Sequence, residues 1–450
     1  MPKLPSMGKP APIPKIRPLE DRLTPLNNLL GMVAPASQGW LSGQAGALQA
    51  GSSNRGQTLE IKSCTSYDDL VKSWEKALEW SEGLDSALVT MLASSMSTQF
   101  KGEQLWLKII GPPSCGKTSL MEGLATATKW YFSRDSIRGF HSGWKDKDKE
   151  KDVSLAAKVM GKTLGTKDGD TLLKAPNLKQ ILAEGRALYD RVSRTDYRND
   201  VSNEYTGHRM TWHLAGTKSL REIDDSELGA RFLDVVIMDK IDRKFELTVG
   251  IRAVMQEFQN MKSLSDGTPE SQYPPDLAEA MALSGGYLDF LRSNAEELAE
   301  VVEEPREIYK KFAMYGVFTA MMRARFVKGH EDEADREFGI RLGKQLTRLA
   351  SSTAVVLGKK EVDDEVVHRV HKVMMDTARG ITLNITKILA RNPQGVEQRA
   401  LASLMHMNDE KLRMQLKFLR NIEVVSLGDD GKRWKLNGDV AKLYDIVRLP

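Results

Sequence analysis

"QLWLKIIGPPSCGKTSL", residues 104–120, decides how the rest of the chain is read. A short apolar run, Gln104–Ile110, passes at once into Gly-Pro-Pro and then into a helical pattern. Gly111, Gly116, Lys117 and Thr118 satisfy G-x-x-x-x-G-K-[ST] in the strand-to-helix context that this motif requires. Such a loop turns successive backbone N–H groups and the positive end of a helix toward phosphate oxygens. Gly111, Pro112, Pro113, Ser114, Cys115, Gly116, Lys117, Thr118 and Ser119 are therefore the expected ATP-binding loop. Lys117 would neutralise the outer phosphates and the Thr118 hydroxyl would ligate Mg2+. A glycine turn that merely starts a helix leaves Lys117-Thr118 at that spacing unexplained. The expected fold class is an α/β P-loop core.

Composition sets wider bounds. The chain has 450 residues and is 41% hydrophobic, enough for two or three packed domains. Its 65 Lys+Arg against 61 Asp+Glu leave a net charge of +4, which neither requires nor excludes nucleic acid. Cys64 and Cys115 cannot build a four-ligand zinc site alone, and Cys115 lies inside the phosphate loop. No apolar run approaches the roughly 18 residues of a membrane span, and the N-terminus lacks a secretory core. A cytoplasmic protein with no membrane partner is expected.

Residues 1–60 ("KPAPIPKIRP", "SQGWLSGQAGALQAGSSNRGQ") read as a flexible basic arm rich in Pro, Gly and Ser. Apolar spacing in "DDLVKSWEKALEW" and "LDSALVTMLASSM" predicts two amphipathic helices between Ser66 and Gln99. Residues 61–240 then form the α/β core, and 241–378 a largely helical segment. Residues 379–450 carry three short helical stretches and then "IEVVSLGDDGKRWKLN", two strand-like runs around a turn signal. The charged run "GWKDKDKEKD", 143–152, reads as a solvated loop. No internal repeat is found.

The Pro-Pro pair resembles the "GPPG" opening common in AAA+ ATPases, with Ser114 in place of the second glycine. "TWHLAGT", 211–217, is a buried-strand pattern ending on a hydroxyl, and within that resemblance Thr217 is the polar sensor of the attacking water. "SELGARFLDVVI", 226–237, resembles the "SRFD" segment of the minichromosome-maintenance helicases. That likeness implies that Arg231 is an arginine finger supplied in trans, a device worth about 10³ to 10⁵ in rate in GTPases. Residues 340–373 resemble the helical lid of the same helicases, which implies Arg341 as second sensor and Arg348 as its alternative. The polar stretch leading into 211–217 resembles their pre-sensor hairpin, and Arg194, Tyr197, Arg198, His208 and Arg209 would face nucleic acid there. The C-terminus resembles a winged-helix domain: "DEKLRMQLKFLRN" is the candidate recognition helix, with Arg413, Lys417 and Arg420 sharing a face, and Lys432, Arg433 and Trp434 on the wing. The departures are a missing cysteine-based zinc module and too short an N-terminal region for an oligonucleotide-binding barrel.

The magnesium strand is the weak member of the set. "LGTKDGDTLL", 164–173, lies at the right distance, Asp168 following Lys117 by 51 positions. Against the D-E-x-D form, "KDGD" puts Lys167 at the first acid, Asp168 at the usual glutamate and Asp170 at the last. Asp168 acts as the short general base, or Asp168 holds Mg2+ through water while Asp170 orients the nucleophile and Lys167 offsets their charge. Either arrangement implies hydrolysis that is slow or depends on assembly.

The resemblance implies a ring-forming ATPase, hexameric by family analogy, that uses ATP and Mg2+ to translocate on or unwind single-stranded or forked DNA alongside replication partner proteins. The alternatives are an ATP-dependent loader or remodeller of a protein partner and a nucleotide-gated DNA-binding regulator.

Overall fold

A computed structural model describes residues 59–448 except 145–151, 198–201, 226–230, 242, 261–272, 301, 304, 328–329 and 336. Its centre is a parallel sheet of β1 (Trp106–Ile110), β2 (Tyr131–Arg134), β3 (Thr163–Thr166), β6 (Thr211–Gly216) and β7 (Phe232–Val236). The strand order is β2-β3-β6-β1-β7, with Leu107 opposite His213 and Lys108 opposite Asp234. An antiparallel hairpin, β4 (Val192–Asp196) and β5 (Ser202–Thr206), stands outside that sheet. Parallel strands covered on both faces read as near-continuous buried runs, and β1, β3, β6 and β7 are buried throughout.

Side chains alternate between two helical layers. Leu107, Ile109, Ala215, Leu233 and Val235 face α1 (Tyr67–Ala77), α2 (Glu82–Met96) and α3 (Lys117–Ala125). Trp106, Leu164, Trp212, Leu214 and Phe232 face the other way, toward α5 (Gly169–Leu173), α6 (Leu178–Tyr189) and the 3-10 helix Lys218–Asp225; the short α4 (Leu155–Val159) joins them. Serine caps set the first two helices: Ser66 accepts from the Asp69 N–H and Ser81 from the Leu84 N–H. The expectation of two amphipathic helices holds for α1 alone. In α2 every residue from Gly83 to Met96 except Asp85 is buried, and buried hydroxyls bond within the fold: Thr90 Oγ1 donates to Ser86 O at 2.6 Å and Ser94 Oγ to Leu105 O at 2.7 Å.

Beyond the sheet come α7 (Arg243–Asn260), α8 (Pro275–Ser293), α9 (Ala295–Glu300), α10 (Arg306–Met322), α11 (Ile340–Val356) and α12 (Asp364–Thr377). The helix α8 lies on α1 and α3, where Trp74 Nε1 donates to Ser284 Oγ at 2.9 Å, so these helices share one core with the phosphate-loop layer. Helical patterning hides a hairpin, β8 (Arg325–Val327) and β9 (His330–Asp335), whose run of charges carries no period-2 signal. The last segment holds α13 (Ile381–Ala390), α14 (Gln398–Met405), α15 (Asp409–Asn421) and α16 (Gly438–Val447) with a small sheet. Its strands β10 (Val396–Glu397), β11 (Val425–Leu427) and β12 (Arg433–Leu436) lie in the order β10-β12-β11. Trp434 is buried in that core rather than displayed on a wing, because β12 lies between two neighbours and turns it inward. Among the described residues no helix is long and apolar enough to cross a membrane.

His213 sits fully buried in β6, within 3.1 Å of Ser94 Oγ and 3.3 Å of the Tyr131 hydroxyl. Burial pushes its imidazole down to about 3, against about 6.5 in an unfolded chain. The unfolded state therefore binds the extra proton, and the stability His213 confers is complete above about pH 6.5 and lost as pH falls toward the folded value. Urea midpoints measured from about pH 7 to about pH 4 should drop more steeply in the native chain than in His213→Gln. Equal slopes would contradict a neutral buried imidazole.

Candidate functional site

The C-terminal ends of β1, β3, β6 and β7 meet on one side of the sheet. There the Gly111 N–H donates to Gly216 O at 3.2 Å and the Ile237 N–H to Ile110 O at 2.9 Å, tying the ends together around the phosphate loop. Ser114 (φ 61°) and Gly116 (φ 91°) are left-handed and curve the loop into a concave nest that opens on the first turn of α3. A side chain on Gly116 would come within 2.9 Å of Leu84 Cδ2, so glycine is needed for space as well as for φ. The Lys117 ammonium lies along the loop, donating to Gly111 O at 2.8 Å and Pro112 O at 2.6 Å. Nest, helix end and ammonium together fit a nucleotide phosphate.

The two aspartates after β3 do different things. Asp168 is the N-cap of α5, accepting from the Thr171 N–H at 2.9 Å and from the Thr171 hydroxyl, and it is exposed. Asp170 turns toward β6. The Thr217 N–H donates to its Oδ2 at 3.0 Å, the Thr217 hydroxyl to Oδ1 at 3.1 Å, and the Ser219 hydroxyl also to Oδ1. Ser219 was not singled out by sequence reasoning, although a second hydroxyl two positions after Thr217 was there to be read. Lys167 does not offset the aspartates: its ammonium lies 2.8 Å from Asp135 Oδ1 and 3.2 Å from Glu122 Oε1, and these two acids raise its pKa against the effect of burial. Among the described residues no three His, Cys, Asp or Glu side chains gather into a metal cage. Mg2+ in phosphate sites takes only one or two protein ligands besides phosphate and water. Thr118, partly exposed at the start of α3, and Asp168 at the end of β3 are residues of that kind.

The candidate arginines lie at the other end of the strands. Arg231, just before β7, is only 8% exposed; its Nη2 is 2.7 Å from Asp190 Oδ2 and its guanidinium centre 5.5 Å from the Tyr189 ring. Arg341 stands 5.9 Å from the same ring. Tyr189 in turn donates to Gln104 O at 3.0 Å, and Gln345 Nε2 donates to the Tyr189 hydroxyl at 2.9 Å and to Arg231 O at 3.1 Å. A strand the length of β1 separates this cluster from the loop, about 15 Å, so neither arginine reaches the phosphate loop of its own chain.

Arg191, Arg209 and Arg348 converge on the carbonyls of Phe100, Lys101 and Gly102. Arg209 is thus engaged at the hairpin base, and burial beside Arg191 and Arg348 lowers its pKa. His208 is fully buried, its Nε2 2.8 Å from Ala156 O, and burial lowers its pKa, so it has no nucleic-acid face. Arg194 is exposed on β4 but paired with Glu204 at 2.8 Å across the hairpin; Tyr197 packs on Gly143, and Arg198 lies outside the described residues. Arg413, Lys417 and Arg420 are exposed along α15, and Arg433 is exposed on β12, 3.7 Å from Asp430. Neither a family model nor a curated protein matches the sequence.

Gly169 lets α5 approach β6: a Cβ there would lie 2.9 Å from Ala215 O and 2.6 Å from Leu220 Cδ2. Gly169→Ala should lift the start of α5, separate Asp170 from Thr217 and lower unfolding stability by about 1–3 kcal/mol in urea titration. A variant as stable as the parent would show that the approach is not required.

Proposed function

We propose that this chain is an AAA+ ATPase of the minichromosome-maintenance type that assembles into a ring and couples ATP hydrolysis to translocation on, or unwinding of, DNA. The observation that carries the reading is the bond set from Thr217 and Ser219 to Asp170 beside the phosphate loop. Phosphoryl transfer to water needs little covalent chemistry from a protein: it needs positioning of the water and stabilisation of charge on the transferred group. Asp170, oriented by two hydroxyls and a backbone N–H, is the water-orienting carboxylate in this reading, with Thr217 the sensor. Asp168 and Thr118 are the Mg2+-side residues, the ion supplying charge neutralisation when bound. Lys117 holds the outer phosphates.

Arg231 and Arg341 share Tyr189 a strand's length from the loop, which supports a role on the site of a neighbouring subunit rather than their own. For Arg231 to act in trans it must leave Asp190, which makes hydrolysis depend on assembly. The α13–α16 segment with β10–β12 is read as a winged helix that meets DNA through α15. One observation favours the second reading, a remodeller of a protein partner: Arg194 and Arg209 are already engaged within the chain, leaving the hairpin less cationic than a strand grip requires.

Lys117→Ala should abolish binding of an ATP analogue in calorimetry. Arg231→Ala should bind normally yet lose about 10³-fold in turnover, and mixing it with Lys117→Ala should restore part of the activity. Unchanged turnover in Arg231→Ala would remove the finger. Stimulation of turnover by forked DNA separates the first reading from the second. For Arg413→Ala or Lys417→Ala, the salt dependence of DNA binding should weaken by about one ion per residue; an unaltered slope would take α15 off the DNA.

A further inference from the structure

Asp234, in the middle of β7, is fully buried and faces cations from three separate parts of the chain. Lys108, its register partner on β1, places Nζ 3.0 Å from Oδ1. Arg379, two residues past α12, donates through Nη1 to Oδ2. Arg221, in the 3-10 helix that follows Thr217 and contains Ser219, brings Nε to 3.8 Å from the same Oδ2. The end of α12 is bonded to the same strand: the Asp234 N–H donates to Thr377 Oγ1 and the Val236 N–H to Asp376 Oδ2, each at 2.9 Å, and Lys372 Nζ donates to Val236 O at 3.0 Å. Gly380, left-handed at φ 100°, then opens the C-terminal segment.

The charge of Arg323 also acts on Asp234, and one carboxylate among these cations cannot satisfy all of them. Lys108 is committed to Oδ1, so Arg221 and Arg379 face one oxygen, and in this arrangement Arg379 has the contact. Leaving a buried carboxylate without a close partner is costly, but exchanging one guanidinium for the other keeps it paired throughout. An exchange of this kind is a change of partner between discrete arrangements, the form that two-state elements take. Burial lowers Lys108 to about 7 and Arg379 to about 9, as expected of a crowded cationic cluster.

We propose that Asp234 is an exchange point: when nucleotide binding shifts the Thr217–Ser219 segment, Arg221 takes Oδ2 from Arg379 and loosens the junction that carries the C-terminal segment. Arg221 is a positioning residue in this scheme, acting through Asp234 and touching no nucleotide. Closing the Arg221 gap by about 1 Å suffices to make a hydrogen bond. The scheme rests on the reading that the phosphate loop binds ATP.

The test is amide hydrogen exchange over residues 377–384 of the full chain, with and without a non-hydrolysable ATP analogue and Mg2+, analogue binding being measured separately by calorimetry. The analogue should speed exchange in the native chain by about fivefold or more. Arg221→Ala should bind the analogue within about twofold of the native affinity and show no acceleration, while Arg221→Lys, which keeps the charge, recovers part of it. Arg379→Lys should exchange faster even without analogue. Native exchange that is unmoved by bound analogue, or acceleration in Arg221→Ala equal to native, overturns the exchange point and leaves nucleotide binding intact. If the native chain binds no analogue, both readings fall, and the calorimetry alone shows it.

Discussion

The hydrogen bonds from Thr217 to Asp170 tie the start of α5 to the end of β6, the strand end to which the phosphate loop is itself bonded. Gly111 is bonded to the last residue of β6, so a shift of that strand end moves the loop as well. Thr217 can reach Asp170 only because α5 starts close against β6, and that approach is possible only over Gly169. The irregular acidic signature "KDGD" then has a physical reading. Asp168 ends the strand and caps the helix, Gly169 provides clearance, and Asp170 is delivered one residue later to the neighbouring strand. Lys167 leaves the group for Asp135 and Glu122.

The phosphate loop and β1, β6 and β7 were legible because strands buried on both faces must be apolar runs, and a strand-loop-helix with Lys-Thr at fixed spacing has few other uses. β3 was legible by position more than by composition. Its threonines are polar, yet they lie inside the sheet, where Thr163 bonds Ser95 at 2.9 Å and Trp212 Nε1 donates to Thr166 at 3.0 Å. The helix α2 was misjudged for the same reason: serines and threonines that bond backbone carbonyls within the fold are indistinguishable in sequence from serines that face water. Arginines were the least legible. Periodicity places a guanidinium on a face, but only the fold shows that Arg209 ends on carbonyls of the 100–102 loop and Arg231 on Asp190. The helix α16 and the β8–β9 hairpin escaped because one follows a turn-rich tail and the other lacks alternation.

The sheet is chemically polarised along its strands. One end carries the phosphate loop, Lys117 and the two aspartates; the other gathers Arg231, Arg341, Arg191, Arg209 and Arg348 around Tyr189 and the 100–102 carbonyls. In the proposed reading, an anion-binding end and a guanidinium end lie on opposite sides of the chain, complementary to each other and not to themselves. That asymmetry is the premise of the head-to-tail ring proposed above.

The bonds from Thr377, Asp376 and Lys372 to β7 have a consequence for solubility and assembly. An edge strand normally offers unpaired amides and carbonyls as a template for a stranger's strand. Here the outward-facing N–H groups of Asp234 and Val236 and the Val236 carbonyl are already taken by a helix. Edge-to-edge strand pairing of copies through β7 would first have to displace these bonds.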